Sequence, residues 1–247
     1  MQSIEVNKSI IRDFYRRAVA NGDLDYARQI IADEYIQHSS AVPPGKAGLM
    51  EALRYLSQMP KPATSAKPFM RLLAEGQYVV TNTSVKLGDK TKAVVDLFRL
   101  DNGQVVEHWD AIEDQPETTR NGNPMMDGDV AVEDMALTGE NKKIAEEFFQ
   151  RVLVDRDLKR LPDFVTANLI QHQPEIANGL DGLAQYLRKK ADLFAVQKVH
   201  RIIGEGNFVV IQSEGQLGLK PYAFYHIFRL HERRIVEQWA VKQLLPN

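Results

Sequence analysis

The chain has no cysteine among its 247 residues. That excludes disulfides, thiolate nucleophiles, and zinc or iron–sulfur sites built on Cys. It also fits a reducing compartment, so a cytoplasmic location is the expectation. Neither sign of charge dominates: 31 Lys and Arg stand against 33 Asp and Glu, a net charge of −2. A near-neutral chain lacks the basic footprint that nucleic-acid or acidic-membrane binding needs, and neither partner is expected. No apolar run approaches the ~18 residues of a membrane span. The opening stretch, MQSIEVNKSIIRDFYRRAVANGD, is charged and amphipathic, unlike a signal peptide. No Gly-rich phosphate loop sits between a strand and a helix, and no Ser lies in a nucleophile elbow. A nucleotide is therefore not expected, nor any other cofactor.

What is there suffices for a folded protein. Hydrophobic residues make up 44% and charged residues 26%, which supports a real core and argues against disorder. The chain is also written twice. At an offset of 134, Asn7-Lys8 returns as Asn141-Lys142, Phe14 as Phe148, and Ile36-Gln37-His38 as Ile170-Gln171-His172. Farther on the offset becomes 130, and 15 of the 39 residues from 71 to 109 recur without a gap. Unrelated chains of average composition would share about two or three. The four-residue slip falls near Lys61-Pro62, where a loop can absorb it. Two copies of so long a period make a domain duplication, not a solenoid. The stretch DQPETTRNGNPMMDGDVAVEDMALTG has no helical or strand period. It sets the domains at 1–125 and 138–247, with a linker over 126–137.

Each copy reads alike. Ile10, Ile11, Phe14, Tyr15, Ala18 and Val19 form one helical stripe within residues 4–20. A short helix follows Asp23, a suitable N-cap, and a third covers 46–58. Four β-rich runs follow, at about 68–75, 78–87, 91–100 and 104–112. Helices before strands argue α+β: two tandem cone-shaped domains, each with three helices on one face of a curved antiparallel or mixed sheet. The open end of such a cone is the natural ligand pocket.

Polar residues converge on the hairpin Val94–Ile112. Asp101-Asn102-Gly103 suits a type I turn closed by Gly103 as a one-residue bulge. That register pairs Asp96 with His108 and puts Asp96, Phe98, Val106, His108 and Asp110 on one face. A two-residue Asn102-Gly103 turn would instead pair Asp96 with Trp109 and dissolve the dyad. Burying two carboxylates and an imidazole is costly unless something uses them, and an Asp beside a His can act as general base. A solvent-facing polar strip is the alternative. On the other face Arg99 and Glu107, like Arg229 and Glu237, read as a cross-strand ion pair, with Trp109 and Trp239 covering the sheet. His38 and His172 end the repeated phrase Ile-Gln-His, which suggests a shared structural or pocket role. His38, Asp96, His108 and Asp110 amount to a two-His, two-carboxylate set, but no spacing among them demands a metal, and none is expected. The second copy has lost the acids: Asp96 becomes His226, His108 becomes Gln238 and Asp110 becomes Ala240. Gly103 becomes Arg233, so a different turn is expected there.

The same residues carry a family likeness. Val95-Asp96-Leu97-Phe98-Arg99 followed by Asn102-Gly103-Gln104-Val105-Val106-Glu107-His108-Trp109-Asp110 resembles the terminal hairpin of SnoaL-like polyketide cyclases. Tyr35-Ile36-Gln37-His38 is similar to their segment after the second helix. Asn121-Gly122-Asn123-Pro124-Met125-Met126 resembles the tail of a subgroup of aldol-condensation enzymes. The resemblance implies the nuclear-transport-factor-two-like fold and aldol cyclisation, or related enolate chemistry, on a small, largely apolar carbonyl compound, without metal or nucleotide. By position Asp96 would be the base. Some members carry a His on the preceding strand, where this chain reads Val79-Val80-Thr81-Asn82-Thr83. The superfamily also holds dehydratases, isomerases, epoxide hydrolases and non-catalytic binding domains, so a small-molecule binding protein is the rival expectation. The expected catalytic residues are Asp96, His108 and His38. The expected substrate-binding residues are Asp110, Phe98, Tyr55, Asn82, His172 and His226. Domains of this kind commonly pair through the sheet face. The resemblance thus implies an intramolecular pseudo-dimer, sheet against sheet, with homodimerisation compatible but not required.

Overall fold

The computed structural model describes residues 3–39, 41–59, 70–190 and 194–246. The expected four-residue slip near Lys61-Pro62 lies outside the described residues. The chain divides into two compact units, Met1–Thr83 with Val95–Asp110, and Ser84–Val94 with Ala111–Asn247. Among the described residues no helix is long and apolar enough to cross a membrane.

The first copy opens with α1 (Ile4–Asp13), which Ser3 caps by accepting the Val6 N–H at 3.3 Å. The helix widens into a π turn over Phe14–Val19. Asp23 caps α2 (Leu24–Ile30) by accepting the Tyr26 N–H at 3.0 Å. Then come β1 (Ile31–Gln37), α3 (Gly45–Gln58), β2 (Arg71–Glu75), β3 (Tyr78–Leu87), β4 (Lys90–Asp101) and β5 (Gln104–Asp114). The second copy repeats this with α4 (Thr138–Phe148), a π turn (Phe149–Val154), α5 (Leu161–Phe164), β6 (Val165–Gln171), α6 (Gly179–Lys189), β7 (Phe194–Glu205), β8 (Phe208–Leu217), β9 (Lys220–His231) and β10 (Arg234–Leu244). The fold is α+β. Among the described residues there are two five-stranded sheets, ordered β1-β5-β4-β3-β2 and β6-β10-β9-β8-β7. The same order in both is the structural mark of the duplication.

Each sheet is mixed because β1 and β6 run parallel to β5 and β10. The sequence reading passed over these two strands. Only seven residues long, each begins where its preceding helix stops. Their burial is irregular, which blurs period-two alternation. One core of the first copy joins Ile11, Phe14 and Ala18 to Ile31, Leu53, Phe98 and Leu100. Its counterpart joins Phe148, Val152 and Leu161 to Leu183, Phe228 and Leu230. Each large side chain buried there contributes about 1.5–3 kcal/mol before entropy is counted.

The hairpin turn differs from the expected one. Asn102 (φ 47°) and Gly103 (φ 81°) both lie in the left-handed region, as in a two-residue primed turn. The second copy keeps this turn, with Glu232 at φ 47° and Arg233 at φ 64°. The expectation of a different turn there is corrected: Arg233 accepts a left-handed backbone at a cost of about 1–2 kcal/mol. The two-residue turn does not dissolve the dyad, because a bulge restores the phase. In the second copy the β9–β10 register slips between Ile235 and Glu237, after which Gln238 faces Phe228 and Ala240 faces His226. In the first copy the β1–β5 ladder breaks at the equivalent place, between Val105 and Glu107.

The stretch read as a linker is a strap on the second copy. Asn121 Nδ2 donates to the carbonyls of Gln173 and Ile176 at 2.8 and 2.9 Å. Asn123 Nδ2 donates to the Gln171 carbonyl at 2.9 Å, and Trp239 Nε1 donates to that of Asp127 at 2.7 Å. Met125 and Met126 are buried. Gly128 has φ +99°, and a Cβ there would lie 2.2 Å from Glu237 Oε1 and 2.8 Å from the Trp239 ring. Only glycine satisfies both demands.

Candidate functional site

The site grows from five elements of the first unit. The π turn after α1 supplies Tyr15, β1 supplies Gln37, and the β3–β4–β5 strands supply Thr81, Asp96, Phe98, His108 and Asp110. His108 Nε2 lies 3.0 Å from Asp96 Oδ1. The Tyr15 hydroxyl donates to Asp96 Oδ2 at 2.5 Å and lies 2.9 Å from Thr81 Oγ1. Phe98 stacks on the His108 ring with centroids 4.6 Å apart, forming an apolar wall. The Asp96 and His108 side chains are only 13% and 9% exposed, so their interaction is poorly screened.

Hydrogen-bond logic fixes the proton count. The Ser39 backbone N–H can only donate, and it points at Gln37 Oε1 at 3.0 Å. That orients the Gln37 amide, whose Nε2 donates to the Tyr35 hydroxyl at 3.0 Å. His108 Nδ1 lies 3.0 Å from the same Gln37 Oε1, so Nδ1 carries a hydrogen. One further proton then lies between His108 Nε2 and Asp96 Oδ1. The dyad is either carboxylate with imidazolium or carboxylic acid with imidazole. Nearby, burial raises the pKa of Asp110; His108 opposes the rise and Asp96 adds to it. Burial, with the Asp96 charge, raises Tyr15 well above the usual tyrosine range and keeps it a hydroxyl donor.

Of the expected residues, Asp96, His108, Phe98 and Asp110 come together. His38 does not. Alternation along β1 turns Gln37 toward Asp96 and leaves His38 on the opposite face. There His38 stacks on Trp109 at 4.8 Å, and its Nε2 lies 2.8 Å from Glu107 Oε1. Arg99 Nε donates to the other Glu107 oxygen at 2.7 Å, the expected cross-strand pair. His172 departs from its expected place for the same reason. It stacks on Trp239 at 4.9 Å and sits 2.9 Å from Glu237 Oε1, with Nδ1 donating to the Pro124 carbonyl at 2.7 Å. Burial pushes the Glu237 carboxyl up, but hydrogen bonds from His172 and Arg229 outweigh it and hold it low. Asn82 also faces away: its Oδ1 accepts the Arg71 N–H at 3.0 Å, one residue beyond the inward Thr81. Tyr55 is 63% exposed on α3, outside the site. His226 lies buried in the second copy.

Sequence reasoning missed Tyr15, Gln37 and Thr81. Tyr15 carries the one hydroxyl on the apolar stripe of the first helix, and that was its signal. Gln37 was hidden behind the more reactive His38 beside it. Among the described residues no three His, Asp or Glu side chains are grouped to hold a metal ion.

Residues 11–108 match the family model of the SnoaL-like domain. The matched stretch carries most of the first sheet, and the second half of the chain repeats its strand order. The chain is similar to an NTF-2-like protein from Burkholderia xenovorans LB400, at 23% identity and a TM-score of 0.39, over 46% of this chain and 88% of that one. It is similar to a SnoaL-like polyketide cyclase from Agrobacterium tumefaciens, at 13% identity and a TM-score of 0.37, over 42% and 91%. An LEH-like epoxide hydrolase from M. tuberculosis is similar at 19% identity and a TM-score of 0.36, over 42% and 78%. No curated protein matches the chain significantly.

Proposed function

We propose that the first copy is an acid–base enzyme that removes a proton beside the carbonyl of a small, largely apolar compound. The observation that carries this reading is the part-buried Asp96, bridged by His108 at 3.0 Å and Tyr15 at 2.5 Å. In its carboxylate form Asp96 takes the proton from carbon, and the electron pair left behind passes to the carbonyl oxygen as an enolate. Asp110, whose carboxyl burial pushes up from its usual range, stands on the same face and, when protonated, can donate to that oxygen. The enolate then regains a proton on carbon or attacks a second carbonyl of the same molecule, closing a ring. Gln37 orients His108, and Thr81 orients Tyr15. A binding protein without catalysis is the competing reading, favoured by the fact that both Asp96 oxygens already have protein partners.

Hydrogen–deuterium exchange at the α-carbons of 2-tetralone in D2O, followed by NMR, separates the two. Acceleration over buffer, falling by about 10²–10⁴ in Asp96→Asn at unchanged melting temperature, supports the enzyme. Exchange no faster than buffer, or undiminished in Asp96→Asn, would overturn it.

A further inference from the structure

The second unit holds a cavity of about 60 Å³. Its walls are apolar, with Leu153, Leu183, Leu187, Phe194 and Phe224 among them. Among the polar side chains that line it from strands are His226 on β9 and Gln238 on β10. Both are nearly fully buried, at 4% and 2% exposure. The lining also includes Lys242, paired with the largely buried Glu113 at 2.9 Å, and the exposed Glu175, paired with Lys190 at 3.2 Å.

His226 is the anomaly. Among the described residues neither ring nitrogen has a hydrogen-bond partner, and Nδ1 is shut away entirely. Phe149 meets the ring edge-on at 5.3 Å, and Phe228 stacks on it at 6.0 Å. Burial lowers its pKa to about 4, so the ring is neutral at pH 7. A neutral imidazole has one N–H and one bare nitrogen. An orphaned N–H is rarer in proteins than an under-satisfied acceptor, so the enclosed Nδ1 is the bare nitrogen and Nε2 carries the hydrogen. Gln238 Oε1 already accepts from Gln171 Nε2 at 3.4 Å, which leaves its NH2 group as a donor. His226 and Gln238 thus each present an unmet donor beside the apolar part of the lining. A buried donor left unmet is a standing cost that a ligand acceptor removes.

We infer that this cavity is a second binding site, which takes a small uncharged molecule with a carbonyl oxygen on an apolar body. The oxygen accepts from His226 Nε2 and the Gln238 amide, and the hydrocarbon part fills the space between Leu153, Leu187 and Phe224. A carboxylate ligand is disfavoured because His226 is neutral and Lys242 is already paired. The site requires no proton transfer, and it does not depend on Asp96.

The test is a titration of the full chain, ¹⁵N-labelled, with acetone and with isobutene, which match the size of the cavity, reading the His226 ring and Gln238 side-chain signals by NMR. Saturable shifts at both residues are expected with acetone. Isobutene, which lacks the acceptor, should bind about tenfold more weakly. In His226→Phe that preference should vanish, and Gln238→Leu serves as the second variant if the first does not fold. Acetone binding should persist in Asp96→Asn, which keeps this result apart from the fate of the proposed enzyme. Absence of saturable shifts, equal affinity for the two probes, or a preference unchanged in both variants would overturn the inference.

Discussion

Two copies of one domain have put opposite chemistries into the same place. In the first, Tyr15, Asp96 and His108 are joined by hydrogen bonds through the Asp96 carboxyl. In the second, the equivalent residues are Phe149, His226 and Gln238, and the Tyr–Asp bond has become an edge-on contact between a phenyl ring and a neutral imidazole. The scaffold around them hardly differs: strand order and hairpin turn are alike in the two. The proton chemistry proposed for the first copy therefore rests on a few side chains at fixed positions, while the fold holds either set. Across the sheet the relation reverses. The His–Trp–Glu–Arg cluster is kept in both copies, yet His38 is 40% exposed and His172 only 3%, because the strap from Arg120 to Glu133 covers the second cluster alone.

The largest expected effect lies in the first contrast. Asp96→Asn should lower α-hydrogen exchange by about 10²–10⁴, while His226→Asn leaves it within about twofold. Parallel losses in the two variants, at unchanged melting temperature, would mean that the second copy also moves protons.

Next comes the second contrast. His172→Ala leaves the buried Glu237 with Arg229 but one oxygen short of its donor, and chemical denaturation should show a loss of about 1–3 kcal/mol. His38→Ala leaves the partly exposed Glu107 still paired with Arg99, and should cost under about 1 kcal/mol. Equal losses would show that the strap adds nothing to the cluster.

The pH dependence of stability should carry the mark of His226. Its folded pKa of about 4 lies below the usual 6.5. The unfolded chain therefore binds more protons between those values, and stability falls as pH drops through that window. Multiplying the gap by 1.36 kcal/mol per unit gives about 3 kcal/mol, complete near pH 4. Above pH 7 the ring is neutral in both states and contributes no slope. Denaturation curves of His226→Phe at pH 7 and pH 4 should show a correspondingly smaller difference; an unchanged difference would assign the slope to other groups.

The smallest effect belongs to the strap. Gly128→Ala combines a disfavoured backbone with a clash against Glu237 and Trp239, and should cost about 1–3 kcal/mol. Its signature is broadening of the Trp239 indole N–H signal, while Trp109 stays sharp. Disturbance of both indoles, or of neither, would contradict a strap confined to one copy.

The duplication, the α+β class and the core of the site were legible in the residues. Repetition at offsets of 134 and 130 survives any local error in secondary structure, and alternation along two long strands put Asp96, Phe98, His108 and Asp110 on one face. The hairpin turn was misjudged, yet the faces came out right, because a two-residue turn plus a bulge has the same phase as the expected turn with its own bulge. Tertiary structure decided the rest. Whether His38 or Gln37 meets His108 depended on β1, a short strand whose parallel pairing with β5 joins residues some seventy positions apart. Tyr15 reached Asp96 only because the helix carrying it packs over the sheet. The strap looked like a linker because its bonds run from Asn side chains to backbone carbonyls fifty residues away, and such bonds leave no local period. Local pattern determines which face a side chain takes on a regular element. Long-range pairing determines what that face meets, since its energy comes from partners the neighbouring residues do not encode.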